Sequence, residues 1–96
     1  MPVNVVAAIP HDHSEPMFAR SVTVNGKPRN YWDMLGWISP ATLCFNPASV
    51  APVGTTRGGL PVGIQIVGPY LEDRTSIDFA RRIGELCGGF TAPPGY

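Results

Sequence analysis

The chain has 96 residues, enough for one domain, and its seven Lys and Arg residues balance seven Asp and Glu residues. A neutral chain offers no electrostatic reason to bind nucleic acid or an anionic membrane, and no apolar run approaches the roughly 18 residues that a membrane span needs. Two cysteines, Cys44 and Cys87, are too few for the disulfide framework of a small secreted domain. We therefore expect a cytoplasmic protein with reduced thiols.

The start of the chain predicts a strand followed by a loop. Pro2–Ala8 is mostly apolar without clean alternation, which is typical of a short buried strand, and Pro10–Pro16 is polar and bounded by prolines. Within that loop His11 and His13 would point the same way, so they could hold a transition metal if a third ligand came from elsewhere. No other histidine occurs, and the carboxylates show no ligand spacing. We predict no metal site and no cofactor.

A first hairpin is predicted next. Ser21–Val24 alternates as a strand does, and Asn25-Gly26 is a strong signal for a two-residue turn. Lys27–Tyr31 is then the predicted return strand.

A helix is predicted from Tyr31 to Leu43, with Asn30 as its N-cap. Pro40 lacks an amide donor, so we expect a kink or break near Ile38-Ser39-Pro40. Trp32 and Trp37 supply a large apolar surface. They either pack on the sheet or form the wall of a substrate pocket or a partner interface.

A second hairpin is predicted in the stretch after this helix. Ala48–Val53 and Leu60–Val67 are apolar, strand-like runs joined by the polar, glycine-rich Thr55–Gly59. We expect Gly58-Gly59 to supply the positive φ that such a connection needs, and Pro52 to mark an edge strand or a bulge. The connection lacks the spacing and the Lys-Ser/Thr pair of a phosphate-binding loop.

The last predicted element is an amphipathic helix over Thr75–Cys87, with Asp73 as N-cap and Gly88-Gly89 as its stop. Its predicted buried residues recur every three or four positions: Ile77, Phe79, Ala80, Ile83, Leu86 and Cys87. Its charged residues are expected to face water: Arg74, Asp78, Arg81, Arg82 and Glu85. Thr91–Tyr96 has no periodicity and is predicted to be a tail.

These elements predict the α/β class, with four to five short strands and two helices in one domain of residues 1–96. We expect the Ala48–Val67 hairpin to be central and the last helix to lie across one sheet face.

The sequence of the second hairpin resembles a known family. The pattern P-A-x-x-x-P-x-G and then G-L-P-V-G-I-Q-I-V-G, over residues 47–68, is similar to the C-terminal segment of amidase-signature enzymes. Pro10–His13, Val24–Gly26 and Tyr31-Trp32 look like the segment that precedes this hairpin in some members, and Glu72-Asp73 with the last helix looks like the segment after it. The resemblance implies a partial mixed sheet with two helices, taken from the C-terminal part of that fold.

The chemistry that this resemblance implies is missing from these 96 residues. Amidase-signature enzymes hydrolyse amides with a serine nucleophile, a second serine in a cis peptide and a lysine base, in a motif of the G-G-S-S-G-G type. This sequence has no such motif, and its only lysine, Lys27, stands beside a turn where we expect it to be solvated. We therefore predict no catalytic residues in this chain.

Other catalytic arrangements have little support. Ser14 or Ser49 could form a triad with His11 or His13 and an aspartate, since triads are defined by geometry, but no spacing favours it. Cys44 paired with a histidine is equally unsupported.

Two hypotheses remain for the function. In the first, the chain is an amidase-like unit that is non-catalytic alone and acts as a structural or binding remnant or as a separate subunit. In the second, it is the C-terminal part of an active C–N hydrolase that another chain completes. The rest of the amidase-signature fold would supply further strands and residues that cover apolar surface, and these are missing from the 96 residues. We therefore expect a homodimer or higher oligomer. Its interface is predicted to bury Trp32, Trp37 and part of Val3–Ile9. A compact monomer that covers its edge with the Pro10–Pro28 loop is the alternative.

Overall fold

The computed structural model describes the chain except for seven residues: Met1, Val3, Val5, Ala7, His11, Pro94 and Tyr96. In the described part, four strands and two α-helices follow one another, with two short 3-10 helices at Met17–Ala19 and Tyr31–Leu35. The strands form two antiparallel two-stranded sheets. The predicted α/β class with two helices is confirmed.

The first sheet is the hairpin of β1 (Ser21–Val24) and β2 (Lys27–Asn30). Val24 pairs with Lys27, so the turn consists of two residues. Asn25 and Gly26 have φ of +51° and +76°, the left-handed conformation that Asn-Gly adopts most readily in such turns. The turn and both strands are confirmed.

The helix predicted over residues 31–43 is divided in two. Asn30 does cap its start, because its side-chain oxygen accepts a hydrogen bond from the Trp32 amide at 2.9 Å. The first turn is a 3-10 helix that ends at Leu35, and α1 (Ser39–Leu43) begins after three turn residues. The break is confirmed and the continuous helix is wrong: Pro40 lies in the first turn of α1, where its missing amide breaks no helical hydrogen bond.

The second sheet is the hairpin of β3 (Ala48–Thr55) and β4 (Pro61–Val67), as predicted. The register shifts between Pro52 and Gly54, which is the bulge expected near the proline. Gly59 takes the left-handed conformation, with φ of +80°. Gly58 does not, so the expectation that both glycines supply a positive φ is right for Gly59 alone.

Helix α2 (Asp73–Cys87) begins two residues earlier than predicted. Asp73 is in its first turn and Glu72 occupies the N-cap position without a capping side-chain bond, so the predicted cap is wrong. The Glu72 carboxylate instead accepts a bond from the Thr75 hydroxyl at 3.1 Å. At the other end Gly88 is left-handed, with φ of +88°, and stops the helix as predicted.

Helix α2 packs mainly on β3 and only slightly on β4. Ser76 is 2% exposed, while Ala80 and Ile83 are half-buried. Four residues predicted to be buried are instead exposed: Ile77 (59%), Phe79 (52%), Leu86 (83%) and Cys87. The helix has a wider apolar arc than a two-stranded sheet can cover, because the sheet is only about 5 Å from strand to strand.

The buried strand predicted at Pro2–Ala8 is not found among the described residues of that segment. Pro2 forms an isolated antiparallel bridge with Ile64 of β4, and Asn4 and Val6 are bends that are half-buried. Val3, Val5 and Ala7 lie outside the described residues.

The molecule exposes much more surface than its size requires. Its accessible surface is 7347 Å², whereas a folded monomer of 10.3 kDa exposes about 5,400 Å². Its radius of gyration is 15.0 Å, against about 12.5 Å for a compact domain of this length. Among the described residues the buried apolar side chains are small: Val22, Ala41 and Ala51. About 2,000 Å² is therefore exposed beyond what a compact domain of this size shows.

Candidate functional site

A part-buried polar contact lies where α2 meets β3. The Ser49 and Ser76 hydroxyl oxygens are 3.1 Å apart, and the Ser76 hydroxyl donates to the Asp73 carbonyl at 2.9 Å. A hydroxyl has one hydrogen, so Ser49 donates to Ser76. Both hydroxyl protons are thus used in a series of hydrogen bonds that ends on the Asp73 carbonyl, and no base takes part in it. This pair joins helix to strand and does not form a nucleophile.

Two further serines, Ser14 and Ser39, bind their own neighbours in the chain. The Ser39 hydroxyl donates to the Leu35 carbonyl at 2.7 Å. The Ser14 amide donates to the Asp12 carboxylate at 2.9 Å. Hydrogen bonds from the Ser14 side chain and backbone hold the pKa of the Asp12 carboxyl below its usual value. These bonds lead to backbone and carboxylate and not to a histidine, and His11 lies outside the described residues.

Lys27 lies in β2, all of whose residues are exposed. A lysine acts as a base near neutral pH only when burial or nearby positive charge lowers its pKa. This exposed strand gives the Lys27 side chain no burial.

The predicted aromatic surface is present. Trp32 and Trp37 are 50% and 43% exposed and line a shallow groove together with Leu35. Arg29 borders it, with its guanidinium bonded to the Asp33 carboxylate at 2.7 Å. The Trp37 carbonyl accepts a bond from the Gln65 side chain at 3.4 Å, which links this surface to β4. The tryptophans therefore remain half-open to solvent and do not form a core.

A second concavity was not foreseen from the sequence. Its walls include His13, Glu15, Arg20 and Tyr31. The Arg20 guanidinium lies 5.9 Å from the centre of the Tyr31 ring and donates to the Glu15 carbonyl at 2.7 Å. The first hairpin brings Arg20 and Tyr31 together, because the Tyr31 amide bonds the Arg20 carbonyl at 3.2 Å. Arg20 directly precedes β1 and Tyr31 directly follows β2. The predicted hairpin pairing was therefore the signal in the sequence from which this contact could have been found. Groups of both charge signs line the walls, so no ion class is favoured.

Neither a metal centre nor a membrane-spanning helix occurs in the part of the chain that the structure describes. That part contains no group of three or more His, Cys, Asp or Glu residues arranged to hold a metal ion. None of its helices is long and apolar enough to cross a membrane. Cys44 and Cys87 are both free and exposed.

The comparison with family sequence models gives one match, to the family described as Amidase, over residues 1–77. This chain belongs to the amidase family. The match includes both hairpins and the loop between β4 and α2, and so extends beyond the motif at residues 47–68.

Individual relatives agree with this membership. One of them, a subunit of the glutamyl-tRNA(Gln) amidotransferase of Archaeoglobus fulgidus, is 41% identical over 49 residues, which is 51% of this chain and 10% of the relative. A fatty acid amide hydrolase of Medicago truncatula is 34% identical over 55 residues, 57% of this chain and 9% of the relative. A putative amidase of Mycobacterium bovis is 32% identical over 63 residues, 66% of this chain and 11% of the relative. The chain thus spans about a tenth of the length of these amidase relatives.

Proposed function

We propose that this chain is a structural or binding unit of the amidase family that has no catalytic activity alone. The observation that carries the proposal is the state of the serines and the lysine. Ser49 and Ser76 bind each other, Ser39 binds backbone, and Lys27 lies on the exposed strand β2. A serine nucleophile needs a base within hydrogen-bond reach, and these bonds join none of the three serines to a base.

The direct test is labelling with a serine-directed phosphonate probe. The purified chain should remain unlabelled and should release no product from amide or ester substrates above background. Its matched control is a full-length amidase-family enzyme with the G-G-S-S-G-G type of motif, which should label. Stoichiometric labelling of the purified chain would contradict the proposal.

A second candidate is that the chain completes an amide hydrolase whose serines and lysine are on another polypeptide. The excess exposed surface of about 2,000 Å² favours it, because a standard interface buries about 800 Å² of each partner. Mixing the chain with an amidase-family polypeptide that carries the catalytic motif but lacks the region matching residues 1–77 should raise amide hydrolysis. Unchanged turnover at saturating chain would exclude this candidate.

Self-association is the third part of the proposal, and it concerns the aromatic surface. Trp32, Leu35 and Trp37 are exposed large apolar side chains on one short stretch. Burying them in a homodimer or higher oligomer would remove part of the excess surface.

We further propose that the protein is cytoplasmic, with Cys44 and Cys87 as thiols. Mass spectrometry after rapid alkylation in cells tests the redox state of the two cysteines.

A further inference from the structure

The turn of the first hairpin joins an asparagine to a glycine. In this pairing the backbone nitrogen of Gly26 can attack the side-chain carbonyl carbon of Asn25, because glycine has no side chain to block the approach. Both residues are exposed, and a Cβ atom placed on Gly26 would meet nothing within 4 Å. In the part of the chain that the structure describes, the Gly26 amide and the Asn25 side chain have no hydrogen-bond partner. The two reacting groups are therefore adjacent, solvated and unengaged.

The closed turn does not hold these groups in the reactive arrangement. Asn25 and Gly26 have φ of +51° and +76°, as in a type I′ turn, where ψ of the first residue is about +30°. The attack closes a five-membered ring, which requires the Gly26 nitrogen to eclipse the side chain of Asn25 and so rotates ψ away from the turn value. Reaction at this site therefore requires the hairpin to open.

The first hairpin is held weakly enough to open. Its two strands form a sheet of their own, and a two-stranded sheet is only marginally stable by itself. Val22 is the one buried residue of β1 and β2. Among the described residues, neither strand makes more than slight contact with a helix or with the second hairpin. Elements with so few buried apolar contacts open locally without unfolding the rest of the molecule.

We propose that Asn25 is a site of spontaneous deamidation that proceeds through opening of the first hairpin. The Gly26 nitrogen loses its proton to hydroxide and bonds to Cγ of Asn25. The Cγ–Nδ2 bond breaks, and the leaving nitrogen takes a proton from water and departs as ammonia. A water molecule then opens the cyclic imide at either carbonyl, which gives aspartate or isoaspartate. The net reaction consumes one water, releases one ammonia and regenerates the hydroxide.

The three other asparagines lack this combination of features. Asn46 is followed by Pro47, which has no amide hydrogen to lose, so ring closure cannot begin there. Asn30 is followed by Tyr31, whose amide already donates to a backbone carbonyl at 3.2 Å. Asn4 is followed by a valine, whose branched side chain crowds the attacking nitrogen. The chain thus contains its own internal controls.

The two products differ in their effect on the hairpin. Aspartate keeps the length of the main chain and tolerates the left-handed conformation. Isoaspartate adds one main-chain atom between Val24 and Lys27, which pair directly across the turn. The extra atom does not fit a two-residue turn, and it disturbs the pairing that brings Arg20 beside Tyr31. Isoaspartate formation therefore loosens the wall of the concavity that these two residues line.

The test follows the intact chain during incubation at mildly alkaline pH in H₂¹⁸O, which labels each carboxyl group that forms. Trypsin then releases residues 21–29 as one peptide, and mass spectrometry measures its conversion. Asp-N protease cleaves before aspartate but not before isoaspartate, and so distinguishes the two products. We expect Asn25 to convert to both products while Asn30 and Asn46 remain intact. The rate should rise with hydroxide concentration.

Variants of the first hairpin test the opening step. Val22→Ala removes buried methyl groups from the closed hairpin and should raise the deamidation rate about tenfold, because it favours the open state. Thr23→Val is the matched control, because Thr23 is exposed and both side chains are β-branched, and its rate should match the parent. Asn25→Gln lengthens the ring that must close and should abolish the reaction.

A synthetic peptide of residues 21–29 gives the rate of the same sequence without a fold. A folded chain that reacts more slowly than this peptide, but measurably, supports the proposal. Intact Asn25 after a period that converts the peptide completely would overturn it. A parent rate equal to that of the peptide, or unchanged in Val22→Ala, would overturn the opening step. If Val22→Ala unfolds the chain, its rate should equal that of the peptide. These outcomes are independent of the proposed function, because no catalytic activity enters the measurement.

Discussion

The Ser49 hydroxyl on β3 donates to the Ser76 hydroxyl on α2 across 3.1 Å, and these residues are 27 positions apart in the chain. Ser76 is 2% exposed and donates its own proton to the Asp73 carbonyl at 2.9 Å. The hydroxyl pair thus satisfies its polar groups at the junction of helix and sheet. It is a long-range hydrogen bond between secondary-structure elements in a molecule with few buried side chains.

Removing the buried hydroxyl should destabilise the fold. Ser76→Ala leaves the Ser49 proton without its acceptor, and we expect a loss of about 1–2 kcal/mol in the free energy of unfolding. Ser49→Ala should lose less, because Ser76 keeps its bond to Asp73. Urea unfolding followed by tryptophan fluorescence measures both. Equal stability of Ser76→Ala and the parent would show that the pair contributes nothing.

The docking of α2 can be tested with two isoleucines on the same helix. Ile83→Asp places a carboxylate on the face that meets β3, at a cost of several kcal/mol, and should unfold a protein whose total stability is about 5–10 kcal/mol. Ile77→Asp is the matched control, because that side chain is 59% exposed and should tolerate a charge. Thermal melting by circular dichroism compares them. If Ile83→Asp melts like the parent, α2 is not docked on β3 through this face.

The fall in folding stability as the pH decreases should depend on Asp78. Hydrogen bonds from Arg82 and Arg81 lower the pKa of the Asp78 carboxyl from 3.8. A carboxyl whose folded pKa lies below its unfolded value contributes stability above the unfolded pKa, and loses it as pH falls through the folded pKa. Asp78→Asn should flatten this decline, measured as melting temperature against pH. The effect should be small and should shrink in high salt, because the groups are exposed.

Serine substitutions should leave turnover at background. Ser14→Ala and Ser49→Ala remove the hydroxyls considered as alternative nucleophiles, and Ser39→Ala removes a third hydroxyl. Each variant is expected to match the parent in amide and ester hydrolysis. Assays on highly purified protein with product detection by mass spectrometry provide the measurement. A reproducible burst of product that one substitution abolishes would identify a nucleophile and overturn the non-catalytic proposal.

Self-association through the aromatic surface predicts a molar mass above that of one chain. Light scattering should give at least twice 10.3 kDa for the parent, and Trp32→Arg with Trp37→Arg should shift the mass towards one chain. Phe18→Arg is the matched control, because that side chain is exposed but lies outside the aromatic groove. A parent mass near 10.3 kDa down to the lowest measurable concentration would exclude the oligomer.

The sequence by itself determined the local features of this protein. Asn25-Gly26 specifies a two-residue turn because both residues tolerate positive φ, and Gly88 ends α2 for the same reason. The alternation in residues 48–67 determined the second hairpin, and Pro40 determined where the preceding helix must break. Family membership was also accessible from the sequence, because it depends on the order of residues, and residues 47–68 carry the family's motif.

Only the tertiary structure decided which apolar residues are buried. The periodicity of α2 placed Ile83 and Leu86 on one apolar surface, yet Ile83 is half-buried and Leu86 is 83% exposed. The difference arises because burial depends on what lies opposite the helix, here a sheet of two strands of which α2 contacts mainly β3. The Ser49–Ser76 bond was inaccessible for the same reason. It depends on how one element overlaps another, a quantity that no local pattern of residues contains.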